Sequence, residues 1–292
     1  MTRTLSCLCL VATPVLLGAP GCKSKKQDVK PKGEVVEIEG EEEGFEVEEK
    51  DTGAKLRPSA KDFEKLFAPP PCPDPTSPDP LGGSFTLEQA LEGLEKPEGA
   101  GNPKAVIKTT RGTITCELYA DKTPRTVANF IGLARGVRDF WNTHTCQWVR
   151  KPFYDGLIFH RVIPEFMIQG GCPLKNGTGN PGYTFDDEIV TELHNDQVGI
   201  LSMANAGKTP EGKGTNGSQF FILDKWSDEQ GPPTRLDGKH TVFGICTPAD
   251  IVFQIARTPS TGCVEDPATG KCGPGSNRPL EDVVIEGVSI TY

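Results

Sequence analysis

The 292-residue chain predicts an all-β-dominated fold, a closed eight-stranded antiparallel barrel capped by two helices and preceded by a disordered tail. Three observations carry that expectation. Eight short β-rich runs recur between Ala105 and Ile290, and only two amphipathic helical patterns interrupt them, at separate points. At Asn102 the composition changes from charge blocks and proline clusters to alternating apolar and polar residues. A doubly wound parallel sheet would need many more helices between its strands. Residues 102–292 suffice for one domain with a sizeable core.

The chain opens with the basic stretch Met1–Arg3 and a mostly apolar run from Leu5 to Leu17, too short to span a bilayer. Gly18, Ala19, Pro20 and Gly21 then precede Cys22. Residues 1–21 resemble a bacterial lipoprotein signal, with Cys22 the residue lipidated after cleavage, although Ala19 stands where that pattern usually has leucine. A secretory signal with an incidental cysteine is the alternative. Either reading puts the mature protein outside the cytoplasm. The expected location is the bacterial cell envelope, facing the periplasm and held to a membrane through Cys22. Lys23, in place of an aspartate, leans toward the outer membrane but leaves inner against outer open.

Residues 22–83 are expected to be a disordered spacer. Lys23, Lys25, Lys26, Lys30 and Lys32 lead into Glu34–Asp51, which holds ten carboxylates and one lysine. The formal net charge of the whole chain, −9, equals that of this stretch alone, so the remainder is near neutral and offers no basic surface for nucleic acid. The prolines from Pro69 to Pro80 extend the spacer semi-rigidly. A monomer is expected.

Residues 84–101 form a helical lead-in, in which Ser84 or Thr86 caps a helix over Phe85–Leu94 with Leu87, Ala90, Leu91 and Leu94 on one face. The domain of residues 102–292 begins with a hairpin, Ala105–Thr109 and Thr113–Tyr119 around Thr110-Arg111-Gly112. Thr123 then caps a helix that has Pro124 at its first position and Val127, Phe130, Ile131 and Ala134 at helical spacing. Gly136 ends it. Strands are expected over Leu157–Arg161, Phe166–Gln169, Ile200–Ala204, Gln219–Leu223, Thr241–Ile245 and Val283–Ile290. A second helix starts at Thr247-Pro248 and carries Ile251, Val252 and Ile255.

The run from Phe159 to Gly171 carries the chemistry. It sets one fixed cation, Arg161, among apolar and amide side chains with no nucleophile beside it. That layout is poor for hydrolysis and suited to twisting a bond. Rotation about an X-Pro amide is opposed by about 18–20 kcal/mol of resonance, which a donor aimed at the prolyl nitrogen weakens.

Four blocks occur in order: Phe159–Gly171, Leu201–Gly207, Thr215–Ile222 and Leu236–Gly244. Together they resemble the cyclophilin family of peptidyl-prolyl isomerases over about Ala105 to Thr291. The resemblance implies that Arg161 hydrogen-bonds near the prolyl nitrogen, with Gln169 supporting substrate and arginine. It implies that Phe166, Met167, Phe221 and Leu236 line the proline pocket with His240 at its wall, and that Ala204, Asn205 and Gln219 bind the peptide. Its partners would be proline-containing polypeptides and it would need no cofactor. Strand alternation agrees, since Phe221 and Leu223 face one way while Phe220 and Ile222 face the other. The alternative function is a proline-peptide binding module or chaperone with little or no turnover.

Departures accompany the matches. Arg235 stands where the family often has a tryptophan, which removes an aromatic wall and puts cyclosporin binding in doubt more than isomerase activity. Trp226, across an enlarged loop containing Pro232-Pro233, is the residue that would swing into the gap. Lys208–Gly214 enlarges a second loop, and Cys172 replaces a common aspartate.

Other motifs lack their setting. Gly177–Gly182 spells G-x-G-x-x-G but contains Pro181 and leads into no helix, and Gly207–Lys213 starts a P-loop in which Gly214 replaces the needed Ser or Thr. His144, His160, His194 and His240 are scattered singly, so no metal site is expected. Behind Cys22 stand Cys72, Cys116, Cys146, Cys172, Cys246, Cys263 and Cys272, an odd number. Cys263 and Cys272 bracket a Gly- and Pro-rich insertion and are expected to form a local disulfide. The resemblance puts Cys146 and Cys172 in neighbouring loops, a second candidate pair. Cys116 and Cys246 sit on apolar strands, as buried thiols or otherwise.

Overall fold

A computed structural model describes residue 72, residues 74–265, residues 272 and 273, and residues 275–292. The expected signal over residues 1–21, Cys22 and the charge blocks lie outside the described residues.

The expected hairpin is β1 (Lys104–Thr109) and β2 (Gly112–Leu118). Its burial alternates with period two: Ala105, Ile107 and Thr109 face inward from β1, and Ile114, Cys116 and Leu118 from β2. A separate ribbon that sequence reasoning missed pairs β3 (Phe140–Asn142) with β4 (Gln147–Val149). The main sheet adds β5 (Arg161–Ile163), β6 (Met167–Gly170), β7 (Ile200–Met203), β8 (Phe220–Leu223), β9 (Val242–Thr247) and β10 (Ile285–Thr291). Its eight strands run in the order β10-β1-β2-β9-β7-β8-β6-β5.

The expected closure does not occur. The end strands β5 and β10 share no ladder, and Ile158 makes one isolated bridge to Val284 where a strand over Leu157–Arg161 was expected. β5 is three residues long, and the Asn277 carbonyl that meets the Val162 N–H belongs to a turn, so pairing cannot propagate. The sheet is a curled half-barrel.

Among the described residues three α-helices accompany the sheet: the lead-in helix α1 (Leu87–Leu91), shorter than the expected Phe85–Leu94, and the two expected in the domain, α2 (Pro124–Arg135) and α3 (Ala249–Ala256). Thr86 caps α1 in a reciprocal capping box with Gln89. α1 lies against α2, where a Cβ at Gly132 would stand 2.3 Å from the Phe85 ring, so the close approach requires glycine. Thr123 does not cap α2; its hydroxyl donates to the Tyr119 carbonyl. The Glu188 carboxylate takes over, accepting from the N–H groups of Arg125 and Thr126 at 3.3 and 2.9 Å.

Two apolar clusters result. The larger gathers Ile107, Ile114, Leu118, Phe159 and Phe243 around Phe130, whose ring centroid lies 5.0 Å from Tyr154 and 5.6 Å from Phe220. The smaller contains Met167, Ile200, Phe221, Leu223 and Val242. The alternation along β8 holds, with Phe220 and Ile222 in the first cluster and Phe221 and Leu223 in the second.

Among the described residues three cysteine pairs lie at disulfide distance: Cys72–Cys146, Cys116–Cys246 and Cys263–Cys272. The local pair is the expected one. Cys116 and Cys246 are direct cross-strand partners on β2 and β9. The Cys146–Cys172 pairing is wrong: Cys146 sits in the β3–β4 turn and joins Cys72, while Cys172 is a buried free thiol.

Cys72 belongs to a strap that leads into α1. Trp141 Nε1 donates to the Cys72 carbonyl and Trp148 Nε1 to that of Ser77. Arg138, 2 % exposed, grips Asp79 through both carboxylate oxygens at 2.9 and 2.5 Å and stacks 4.1 Å over the Tyr183 ring. Residues 74–83, assigned above to the spacer, are thus fastened to the domain.

Candidate active site

Strand register assembles the site. Arg161 on β5 is the cross-strand partner of Gln169 on β6, and Gln169 is the partner of Phe221 on β8. Met167 and Gln169 share one face of β6, because side chains two apart in a strand point the same way. The polar row and the apolar notch therefore lie side by side.

The polar row is a directed chain of hydrogen bonds. Arg161 Nη1 donates to Gln169 Oε1 at 3.3 Å, and Gln169 Nε2 to Gln219 Oε1 at 3.0 Å. Gln219 Nε2 donates to the carbonyls of Gly177 and Gly179, 2.8 Å each. Arg161 is half-buried and forms no ion pair among the described residues. Burial draws its pKa below the usual guanidinium range, yet a guanidinium starts so high that it stays charged at any working pH.

The notch is the smaller apolar cluster: Met167 and Phe221 are buried in it, and Phe166, Ala204 and Leu236 pack on it half-buried. His240 meets the Phe221 ring edge-on at 5.6 Å. Its Nδ1 lies 3.0 Å from the Met203 carbonyl, which can only accept, so the proton is on Nδ1. Asn205 is occupied as a side chain, donating to Asp187, Asn216 and the Lys239 carbonyl. Its backbone N–H and C=O make no hydrogen bond among the described residues and remain open to an extended peptide. A cleft of about 300 Å³ lined by Gln169, Ala204, Asn205 and Gln219 continues from there.

Ten residues from separate blocks thus converge: Arg161, Gln169 and Gln219 in the row, Phe166, Met167, Ala204, Phe221, Leu236 and His240 at the notch, and Asn205 at the cleft. Sequence reasoning missed three features. Arg235 does not leave the notch bare but lays its guanidinium 4.7 Å over the Phe166 ring, while Trp226 packs half-buried on the same cluster, as the sequence suggested it could. The loop dismissed as a false phosphate motif supplies the glycine carbonyls that orient Gln219. Finally, the Cys263–Cys272 insertion brings Cys272 and Ser276 to a cavity shared with Arg161 and His160.

His160 itself is 3 % exposed and neither ring nitrogen reaches a partner at hydrogen-bond geometry, although Ile158 and Gln219 lie close. Burial, then the charges of Arg278 and Arg161, lower its pKa from 6.5 to about 4, so it is neutral beside the arginine.

A family model described as cyclophilin type peptidyl-prolyl cis-trans isomerase/CLD matches residues 104–290, a span that contains all ten site residues. The chain belongs to the cyclophilin family. It is a peptidyl-prolyl cis-trans isomerase. It is 45 % identical over 189 residues to peptidyl-prolyl cis-trans isomerase B of Streptomyces anulatus, covering 64 % of this chain and 95 % of that one. It is 41 % identical over 190 residues to a probable peptidyl-prolyl cis-trans isomerase A of Mycobacterium leprae, covering 65 % and 93 %. A crystal structure of a Cryptosporidium parvum cyclophilin type isomerase is 30 % identical, with a TM-score of 0.49, and covers 65 % of this chain and 97 % of that one. The strap from Cys72 to α1 precedes the span matched to the cyclophilin family.

Proposed function

We propose that this cyclophilin accelerates X-Pro isomerisation in exported or envelope polypeptides, with Arg161 donating to the prolyl nitrogen above the apolar notch. One observation carries the reading: a half-buried guanidinium, braced by Gln169 and free of any carboxylate among the described residues, sits beside the Met167–Phe221 notch. As the amide twists, the nitrogen lone pair leaves conjugation and becomes an acceptor that the planar ground state lacks. A donor aimed there stabilises the transition state selectively. No proton moves. The uncatalysed step takes tens of seconds, so a barrier lowered by roughly 6–7 kcal/mol brings it to about a millisecond.

The notch holds the proline ring and the open Asn205 backbone holds the segment before it, so the partners are proline-containing polypeptides, bound by a monomer. The envelope setting is supported by the signal pattern that places Cys22 at the lipidated position, and by three cysteine pairs at disulfide distance among the described residues, a usage typical of oxidising compartments. The test is kcat/KM on an X-Pro peptide. Arg161→Ala is expected to lose about 10²–10³-fold, the usual effect of removing one preorganised donor. An Arg161→Ala variant as active as wild type refutes the mechanism, and mass spectrometry of the mature N-terminus that finds Cys22 without lipid refutes the anchor.

A further inference from the structure

We infer that Cys172 is a positioning residue for Arg161, acting through the loop of residues 176–179 and two glutamines; the inference rests on the role proposed for Arg161. Cys172 follows β6, is fully buried, and is the one cysteine among the described residues outside a pair. Its sulfur accepts from the backbone N–H groups of Gly177 and Gly179 at 3.2 and 3.3 Å, and its thiol has Asn176 Oδ1 at 3.9 Å as acceptor. Asn176 Oδ1 also accepts from the Thr178 N–H and hydroxyl at 2.9 and 2.7 Å. The loop therefore closes on one sulfur and one amide oxygen.

The same two glycines whose N–H groups bind the sulfur offer their carbonyls to Gln219 Nε2. That contact sets a polarity. With its NH2 toward two carbonyls, Gln219 must turn Oε1 to Gln169, Gln169 must then turn Oε1 to Arg161, and the guanidinium is held by an acceptor. If the loop slips, Gln219 is free to flip, and a flipped row presents an NH2 group to Arg161, donor against donor. Gly177 sits at φ +89°, where a glycine backbone has wide freedom, so the carbonyl directions need an external fastening. An apolar side chain at position 172 supplies none. Aspartate would, with two acceptor oxygens.

The experiment measures kcat/KM on an X-Pro peptide, with melting temperature, for the full chain and for Cys172→Ala, Cys172→Asp, Arg161→Ala and Gln169→Leu, together with the Cys172→Ala/Gln169→Leu double variant. Cys172→Ala is expected to lose at least about fivefold, in line with what small misplacements of a reacting group cost. Cys172→Asp should recover at least half of that loss on a logarithmic scale. In the Gln169→Leu background, where the row is already cut, Cys172→Ala should cost less than half its original factor, whereas a general loosening would cost the same in both backgrounds. Failure of any one of these three results overturns the inference. Should the alanine variant not fold, Cys172→Ser, with a shorter acceptor, is held to the same three results. If Arg161→Ala keeps wild-type kcat/KM, the proposed mechanism itself fails, whatever the Cys172 variants do.

Discussion

Replacing Asp79 with alanine strips the paired carboxylate from a guanidinium that is 2 % exposed. Two charge-assisted hydrogen bonds vanish, and Arg138 keeps a 3.5 Å contact to the Asp139 carbonyl and its stack on Tyr183. The Leu81 and Gly83 N–H groups, which donate to the Asp79 carboxylate at 3.1 and 3.0 Å, lose their acceptor as well. Breaking one side of a buried pair costs about 3–5 kcal/mol, mostly because the other charge stays buried unpaired. The matched control is Glu281→Ala, which breaks a pair with Arg111 whose side chains are 41 % and 81 % exposed and costs about 0–1 kcal/mol. Burial pushes the Asp79 carboxyl up, but the Arg138 hydrogen bond, the Leu81 N–H and the Arg138 charge more than offset it, leaving its pKa below the usual value. A depressed carboxyl stabilises the fold above its unfolded pKa and loses that contribution as pH falls through the folded value. The gap between wild type and Asp79→Ala must therefore be full at neutral pH and shrink in acid. Urea unfolding of both variants with disulfides intact decides the matter. If Asp79→Ala lies within about 1 kcal/mol of Glu281→Ala at pH 7, the buried-clasp reasoning is wrong.

His160 has a folded pKa of about 4 against 6.5 unfolded, so the unfolded chain takes up more protons between those values and stability falls as pH drops from 6.5 toward 4, by about 3 kcal/mol in all. His160→Phe should flatten that limb of a pH–stability curve, and an unchanged slope refutes the assignment. Gly132→Ala places a methyl 2.3 Å from the Phe85 ring and should cost about 1–3 kcal/mol of thermal stability; a neutral effect would mean that α1 shifts without penalty. Arg235→Trp replaces a guanidinium over Phe166 with an aromatic wall and should tighten inhibition by cyclosporin by about two- to tenfold, as one aromatic contact is worth about 0.5–1.5 kcal/mol. An unchanged inhibition constant would show that the wall is elsewhere.

The strands that sequence reasoning located best are those with one buried face. β1 and β2 alternate so regularly that their inward residues are readable from the chain, whereas β8, buried on both faces, was legible as a short continuous apolar run. β3 and β4 escaped because three residues each leave no period to detect. Strand number alone also says nothing about whether the end strands meet, and here a turn at Asn277 keeps them apart. At the site, Arg161, Gln169 and the apolar notch were legible in side-chain type. The orientation of Gln219 was not, because backbone carbonyls carry out that job and any residue has one. The local Cys263–Cys272 pair was legible, but the partner of Cys146 was not, for the same kind of reason: Cys72 and Cys146 are 74 residues apart and meet only through the strap.

The strap has a mechanical consequence. A pull arriving from the N-terminal side is delivered at Cys72 to the β3–β4 turn, and its remainder to the Asp79 clasp, before it can reach β1. Peeling β1 from β10 and β2 by tugging ahead of Cys72 would first require rupture of a covalent bond. Tension applied ahead of Cys72 and the working groove are thereby decoupled, so stretching should leave turnover untouched until that sulfur link is reduced.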